Sequence, residues 1–243
     1  MSYTIGINYV VVGNRDMSNL HKSIELIRKY RPDIPITICH DLEEHNFSLD
    51  NVTFKKFERI RYPQREENRN SSLWRLISLK ESEYDVTLYL DNDIYIVHEG
   101  FFEGFDIAYH YGISMVQNPR MFIKTYEGNI GDLDKGMDVL PFDKNFCKDM
   151  PNYMNSYNMG VTFHNKHDEK SEVFLDNLIW EQQNNPSRGQ AGLYRTIWKT
   201  KMFPYCLPVN WLVCKEHNGI EHPLSLHVGH KEIYEWWKEE YDR

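Results

Sequence analysis

The feature that most constrains the fold is a buried strand that ends at two carboxylates. The run Val86-Thr87-Leu88-Tyr89-Leu90 is apolar, and Asp91-Asn92-Asp93 follows it directly. Carboxylates at the end of a buried strand cost free energy unless positive charge meets them. Residues i and i+2 of a strand point to the same side, so Asp91 and Asp93 can face one cation. Hard oxygen ligands suit Mg²⁺ or Mn²⁺, which usually complete their coordination with substrate phosphates. The segment therefore predicts a metal–diphosphate site.

Strands and helices alternate along the N-terminal part of the chain. Strands are predicted at 4–13, 36–39, 52–54 and 86–90, with helices at 17–31 and from Asn70 or Ser71 to Leu79. This order predicts an α/β fold with a mostly parallel central sheet and helices on both faces. Ligands of such sheets bind beyond the carboxyl ends of the strands. Gly13, Asp41 and Asp91 are all predicted to lie there.

The C-terminal part is less regular. Strands are predicted at 113–116, 158–163 and 224–230, and helices at 170–184, 192–198 and 231–243. Residues 118–155 show no clear period, and a long irregular segment inside a compact domain is usually functional. We expect it to be a functional cover, with Tyr126, Phe142 and Tyr153 available for stacking or for packing the loop.

Composition excludes several classes of partner. The net charge is −8 and we find no long basic stripe, which argues against nucleic acid or an anionic membrane. The 4 cysteines form no CxxC pair and predict reduced thiols in a cytoplasmic protein. No apolar stretch reaches the roughly 18 residues of a membrane span, so no transmembrane segment is predicted.

Several other residues could serve the site, each with a plainer structural alternative. Among 11 histidines, His227 could complete the metal coordination or simply lie at the surface. Arg75 could place a fixed positive charge over the diphosphate, or extend along an apolar face to pair with a surface acid. The remaining candidates lie near the first strand ends, where a nucleotide base or ribose could bind, with turn or core roles as alternatives: Asn8, Tyr9, Asn14 and Asp41.

Four short segments occur in a characteristic order along nearly the whole chain. They are Ser72-Leu73-Trp74-Arg75-Leu76, Val86-Thr87-Leu88-Tyr89-Leu90-Asp91-Asn92-Asp93, Asn158-Met159-Gly160-Val161-Thr162-Phe163-His164-Asn165 and His227-Val228-Gly229-His230-Lys231. This set resembles the core of the GT-A fold glycosyltransferases, most closely the retaining, family-8-type galactosyl- and glucosyltransferases. The resemblance implies one glycosyltransferase domain over 1–243. Its nucleotide-binding half, 1–100, would end in the DxD motif. The acceptor-binding half, 101–243, would carry the C-terminal metal ligand.

The resemblance also implies roles for particular residues. Asp91, Asp93 and His227 would bind Mn²⁺ or Mg²⁺. The donor, a UDP-sugar, would contact Arg75, Asn92, Asn158 and Lys231. Asp93 and Gln190 would be catalytic, and a hexose would pass to an acceptor hydroxyl, on a glycan.

Two departures from the family pattern bear on the acceptor chemistry. The family has an Asp-Gln pair where this chain has Gly189-Gln190, and the C-terminal segment is one residue shorter. In a retaining enzyme Gln190 would sit under the sugar. In an inverting enzyme a carboxylate would deprotonate the acceptor, and the candidates are Asp132, Asp134, Asp138 and Asp143.

Two alternative functions remain open at this point. The first is a phosphatase or phosphotransferase with a nucleophilic aspartate, although such enzymes usually carry their DxD after the first strand. The second is a non-catalytic nucleotide-sugar-binding module of a larger assembly. The missing aspartate before Gln190 favours this second alternative.

Overall fold

The structure is a computed structural model that describes residues 3–13, 17–43, 49–59, 70–122, 155–184, 189–214 and 220–242. The N-terminal elements alternate as the sequence predicts. They are β1 (Ile5–Val11), α1 (Ser18–Tyr30), β2 (Ile36–His40), β3 (Val52–Lys56), α2 (Asn70–Lys80) and β4 (Val86–Leu90). Apolar residues at helical spacing give α1 a buried face, formed by Leu20, Ile24 and Ile27.

The C-terminal elements are more varied. They are β5 (Ile94–Ile96), α3 (Gly104–Tyr111), β6 (Ile113–Phe122), β7 (Asn155–Asn165), α4 (Glu169–Asn184), α5 (Gly189–Thr200), β8 (Tyr205–Leu207), β9 (Ser225–His227) and α6 (Lys231–Glu240). The predicted strand at 224–230 is shorter than expected, because the chain turns after His227 and enters α6. The sequence prediction missed α3 and β8.

The described strands form one large sheet and one small sheet. The large sheet has 7 strands in the order β3-β2-β1-β4-β7-β6-β8, and the small one pairs β5 with β9. Strand β1 runs parallel to both β2 and β4, whereas β7 is antiparallel to β4 and β6. The predicted mostly parallel α/β sheet is confirmed, with antiparallel pairing confined to β7 within the large sheet.

Helices cover both faces of the large sheet. Alternate residues of β1 point to opposite faces, so Tyr9 joins the core beneath α1 while Val10 joins the core beneath α2. Helix α3 packs on the first face, and α4 and α5 pack on the second. A smaller apolar cluster joins the β5–β9 sheet to α6 through Tyr95, Leu226 and Trp237. Among the described residues, no helix combines the length and the hydropathy that crossing a bilayer would require.

Candidate active site

The carboxyl ends of β1, β2 and β4 meet at one edge of the large sheet, because these strands are parallel neighbours. Gly13 turns the chain after β1 with a positive φ of 72°, and its N–H donates to Asp41 Oδ1 at 2.8 Å. Asp91 and Asp93 follow β4 at the same edge. The sequence prediction that these strand ends gather is confirmed, and the candidate site is built on this edge.

Asp93 and His227 form a pair although they are far apart in sequence. Strands β5 and β9 align Ile94 with His227, and the N–H of Val228 donates to the carbonyl of Asp93 at 2.9 Å. This pairing brings His227 Nε2 to 3.2 Å from Asp93 Oδ2. Burial disfavours both charges, but the hydrogen bond between them lowers the pKa of Asp93 and raises the pKa of His227 to about 10.

Two glycines leave room for the carboxylates. A Cβ on Gly229 would lie 2.2 Å from Asp93 Oδ2, and a Cβ on Gly160 would lie 2.7 Å from Asp91 Oδ2. Neither glycine has a positive φ, so the close approach to the carboxylates is what distinguishes both positions. Each aspartate carboxylate therefore packs against a glycine, and a side chain at either glycine position would clash with that carboxylate.

Asp91 is held by a different set of partners. Its Oδ1 accepts a hydrogen bond from the Tyr89 hydroxyl at 2.6 Å and one from Arg75 Nη2 at 3.1 Å. The Arg75 guanidinium lies over the Tyr89 ring, 4.9 Å from its centroid. Asp91 Oδ2 lies next to Gly160, and the Asp91 side chain remains partly exposed.

The side chains fit a divalent cation only in part. Within the described ranges, no group of three His, Cys, Asp or Glu residues is gathered closely enough to hold a metal ion. The predicted convergence of Asp91, Asp93 and His227 is not seen, because Asp91 turns toward Arg75. Two ligands at right angles on a cation, with bonds of about 2.1 Å, lie about 3 Å apart. The 3.2 Å separation of Asp93 Oδ2 and His227 Nε2 matches this geometry.

Other predicted residues border the same edge. Asn158 Oδ1 accepts a hydrogen bond from the N–H of Gly160 at 2.8 Å. Asn92 donates weakly to the carbonyl of Val10 at 3.4 Å, and its own buried oxygen lacks a partner among the described residues. Lys231 is exposed in the first turn of α6, four residues beyond the paired His227.

No protein-family model matches the chain, and no curated protein matches it in sequence. Solved structures do match. The galactosyltransferase LgtC in complex with donor and acceptor sugar analogs superposes with a TM-score of 0.60 at 12% identity, covering 98% of this chain and 94% of LgtC. The apo bifunctional glycosyltransferase WbbM also has a TM-score of 0.60 at 12% identity. The chain has the fold of these glycosyltransferases.

The coverage of the two neighbours differs. The match to WbbM covers 95% of this chain but spans only 46% of the WbbM chain, less than half of that bifunctional protein. An active-site mutant of LgtC has a TM-score of 0.57 at 11% identity, with 98% of this chain and 94% of that chain covered. Identity this low supports a common fold and carries no residue roles by itself.

Tyr9 and Asn8 were predicted to contact the donor, and both are buried. Tyr9 is fully buried, and its hydroxyl bonds to Ser23 at 2.8 Å beneath α1. Asn8 is 3% exposed and donates to the carbonyl of Ser78 in α2. Both lie within β1 and have little exposed surface, and Asn8 also borders a cavity of about 320 Å³. Asp41 is at the edge, but its oxygens already bind the Gly13 N–H and Arg59.

Some predicted residues lie outside what the structure describes. Asn14 falls in an undescribed segment, as do the acceptor-side acids and aromatics assigned to the cover: Asp132, Asp134, Asp138, Asp143, Tyr126, Phe142 and Tyr153. Gln190 belongs to the first turn of α5, but only its backbone is described.

Sequence reasoning missed four residues of the site. Tyr89 was read only as part of an apolar strand, and Gly160 and Gly229 only as parts of motifs. Cys214 places its Sγ 3.7 Å from His227 Nδ1. The sequence signal for these residues was weak. The glycine in each of the last two motif segments could have indicated a close approach to a carboxylate, whereas the Cys214 contact with His227 depends on tertiary structure.

Proposed function

We propose that the chain is a metal-dependent glycosyltransferase that moves a hexose from a nucleoside diphosphate, UDP in the first instance, to an acceptor hydroxyl. The observation that carries the proposal is the Asp93–His227 pair at the carboxyl edge of a sheet with a glycosyltransferase fold. The DxD strand end and the glycine that admits Asp93 Oδ2 support the same function. The resemblance to family-8-type enzymes makes a retaining reaction the form we propose.

The metal ligands in this proposal are Asp93 and His227. Asp91, whose Oδ1 is bonded to Tyr89 and Arg75, would have to reorient to join them. Asp93 and His227 would hold a divalent cation, which would supply positive charge to a diphosphate leaving group. His227 must be neutral to act as a ligand, and its Nε2 lies 3.2 Å from Asp93 Oδ2.

The positive charges near the edge would bind the leaving group. Arg75 is largely buried and keeps a guanidinium N–H, at Nε, without a partner among the described residues. Lys231 lies at the N-terminus of α6, where the helix dipole also favours an anion. Asn92, which lies between the two aspartates in sequence, and Asn158, which accepts from the N–H of Gly160, would contact the donor.

The sugar and acceptor would meet at the C-terminal half of the chain. We propose that Gln190, in the first turn of α5, lies beneath the transferred sugar. In this assignment residues 1–100 bind the nucleotide, whereas 101–243 bind the acceptor and supply His227.

The experiment is a thermal-shift panel of nucleotide sugars with and without Mn²⁺, followed by assays for hydrolysis and transfer. We expect one UDP-sugar to raise the melting temperature only when Mn²⁺ is present, and the same donor to be turned over. Metal-dependent binding without turnover would instead identify a nucleotide-sugar-binding module. Trapping of a phosphoaspartate would identify a phosphotransferase, and no response to any nucleotide would reject the proposal.

A further inference from the structure

The cavity that Asn8 borders lies between α2 and the strands β1, β2 and β3, on the face of the large sheet away from α1. Its volume is about 320 Å³. Protein interiors hold few voids larger than a water molecule, whereas pockets for small ligands begin at roughly 300 Å³. The space therefore has the size of a ligand site. Its lining combines polar and aromatic side chains, among them Asn8, Thr37, Cys39, Phe57, Trp74 and Tyr84.

Two polar atoms of the lining residues lack hydrogen bonds. Asn8 is 3% exposed, and its Nδ2 donates to the carbonyl of Ser78 at 2.7 Å, whereas its Oδ1 has no partner in the described part of the chain. The buried Nε1 of Trp74 is also without a partner there, while the Trp74 ring stacks on Phe57 at 4.2 Å. Buried polar groups are nearly always hydrogen-bonded. One acceptor and one donor are therefore left for a ligand.

The charges of the lining indicate which ligands the cavity can accept. Lys55 pairs with Glu81 at 2.8 Å, and both side chains are about half exposed, so this ion pair lies at the solvent end of the cavity. Glu83 adds a second carboxylate, and the resulting negative charge disfavours phosphates. Burial raises the pKa of the Cys39 thiol to about 11, so the deeper lining is uncharged at neutral pH. A buried charge there would cost free energy, and a neutral ligand would not.

We propose that this cavity binds a small, neutral, planar lactam, a ring that carries an N–H group next to a carbonyl. The N–H would donate to Asn8 Oδ1 and the carbonyl would accept from Trp74 Nε1. The aromatic side chains would pack against the ring. One of them, Tyr84, lies flat against the backbone of β1, because a Cβ on Gly6 would come within 2.1 Å of its ring. Asp91, Asp93 and His227 are not among the lining residues, so this site is separate from the candidate active site and does not rest on the proposed function.

The test uses 2-pyridone, the simplest aromatic lactam, as the probe. It is titrated into protein labelled with ¹⁵N-tryptophan, and the indole N–H signals of the 6 tryptophans are followed by NMR. The Trp74 signal is identified by its absence in Trp74→Phe. We expect a saturable downfield shift of the Trp74 proton, because an unpaired N–H gains an acceptor. N-methyl-2-pyridone lacks the donor for Asn8, and we expect it to bind about 3- to 10-fold more weakly.

A pair of variants shows whether the probe occupies the cavity. Thr53 is an exposed lining residue of the edge strand β3, so Thr53→Trp should fill the cavity without disturbing the core. The matched control is Lys56→Trp, at an exposed position of the same strand that does not line the cavity. We expect the Trp74 shift to be lost in Thr53→Trp and retained in Lys56→Trp, and to persist with saturating UDP and Mn²⁺. No saturable shift in the wild type, a shift that survives in Thr53→Trp, or displacement of the probe by UDP would overturn the inference.

Discussion

Replacement of Gly229 by alanine tests the geometry of the candidate site with one methyl group. The new Cβ would lie 2.2 Å from Asp93 Oδ2 and 3.4 Å from His227 Nε2. Carbon and oxygen in ordinary contact stay about 3.3 Å apart, so the carboxylate or the turn must move by roughly 1 Å. A misplacement of about 1 Å costs on the order of 100-fold in turnover.

The fold should tolerate this change. Gly229 is exposed and its φ is not positive, so alanine fits the backbone. Exposed substitutions usually change the free energy of unfolding by less than about 0.5 kcal/mol. We therefore expect a melting temperature near that of the wild type, together with roughly 100-fold lower Mn²⁺-dependent donor turnover.

The matched control is Gly100→Ala, whose Cβ would meet the His98 ring at 3.0 Å and not the carboxylates. We expect it to retain donor turnover. If Gly229→Ala keeps wild-type turnover and Mn²⁺ affinity, then the contact between Asp93 and His227 does not support catalysis, and the reasoning from the glycine is refuted.

Two further predictions concern stability. Leu88 is 0% exposed in β4, so Leu88→Ala should lower the free energy of unfolding by about 3 kcal/mol in urea titrations, whereas the exposed Thr53→Ala should have little effect; a loss below about 1 kcal/mol would contradict the central position of this strand. A close contact with His164 Nε2 at 3.1 Å and a hydrogen bond from Lys80 at 2.6 Å lower the pKa of Glu172 from 4.5 to about 2. Because the folded pKa lies below the unfolded value, ionised Glu172 stabilises the fold above pH 4.5, and this contribution is lost as the pH falls toward 2. Glu172→Gln should weaken the pH dependence of unfolding in that range, and an unchanged profile would refute this assignment.

The sequence predicted the strands that form the site edge because they are continuous apolar runs ended by polar residues. Strand β4 was predicted with its observed bounds, Val86–Leu90. By contrast, α3 is short and begins at Gly104, and its buried residues include only Phe105 and Ala108 besides that glycine. Strand β8 has 3 residues and an exposed Tyr205, so no pattern distinguished it from a loop.

The residue types of the site were predictable, but their pairing was not. Asp93 and His227 are far apart in sequence, and the pairing of β5 with β9 brings them together. Neither residue spacing nor composition predicts that pairing. The burial of Tyr9 was not predicted, because a strand sequence does not show how far below the sheet edge a residue lies. Asp91 was expected to face the cation together with Asp93. In the structure both Tyr89 and Arg75 donate hydrogen bonds to its Oδ1, and the sequence did not predict these contacts.

The most direct test of the central claim is calorimetric titration of UDP into the protein with Mn²⁺ and with EDTA, for the wild type and Asp93→Asn. We expect binding that requires Mn²⁺ in the wild type and is weakened at least about 10-fold in Asp93→Asn. An exposed control, Asp176→Asn in α4, should bind like the wild type. UDP binding that is equally tight with EDTA, or unchanged in Asp93→Asn, would contradict a metal–diphosphate site at this sheet edge.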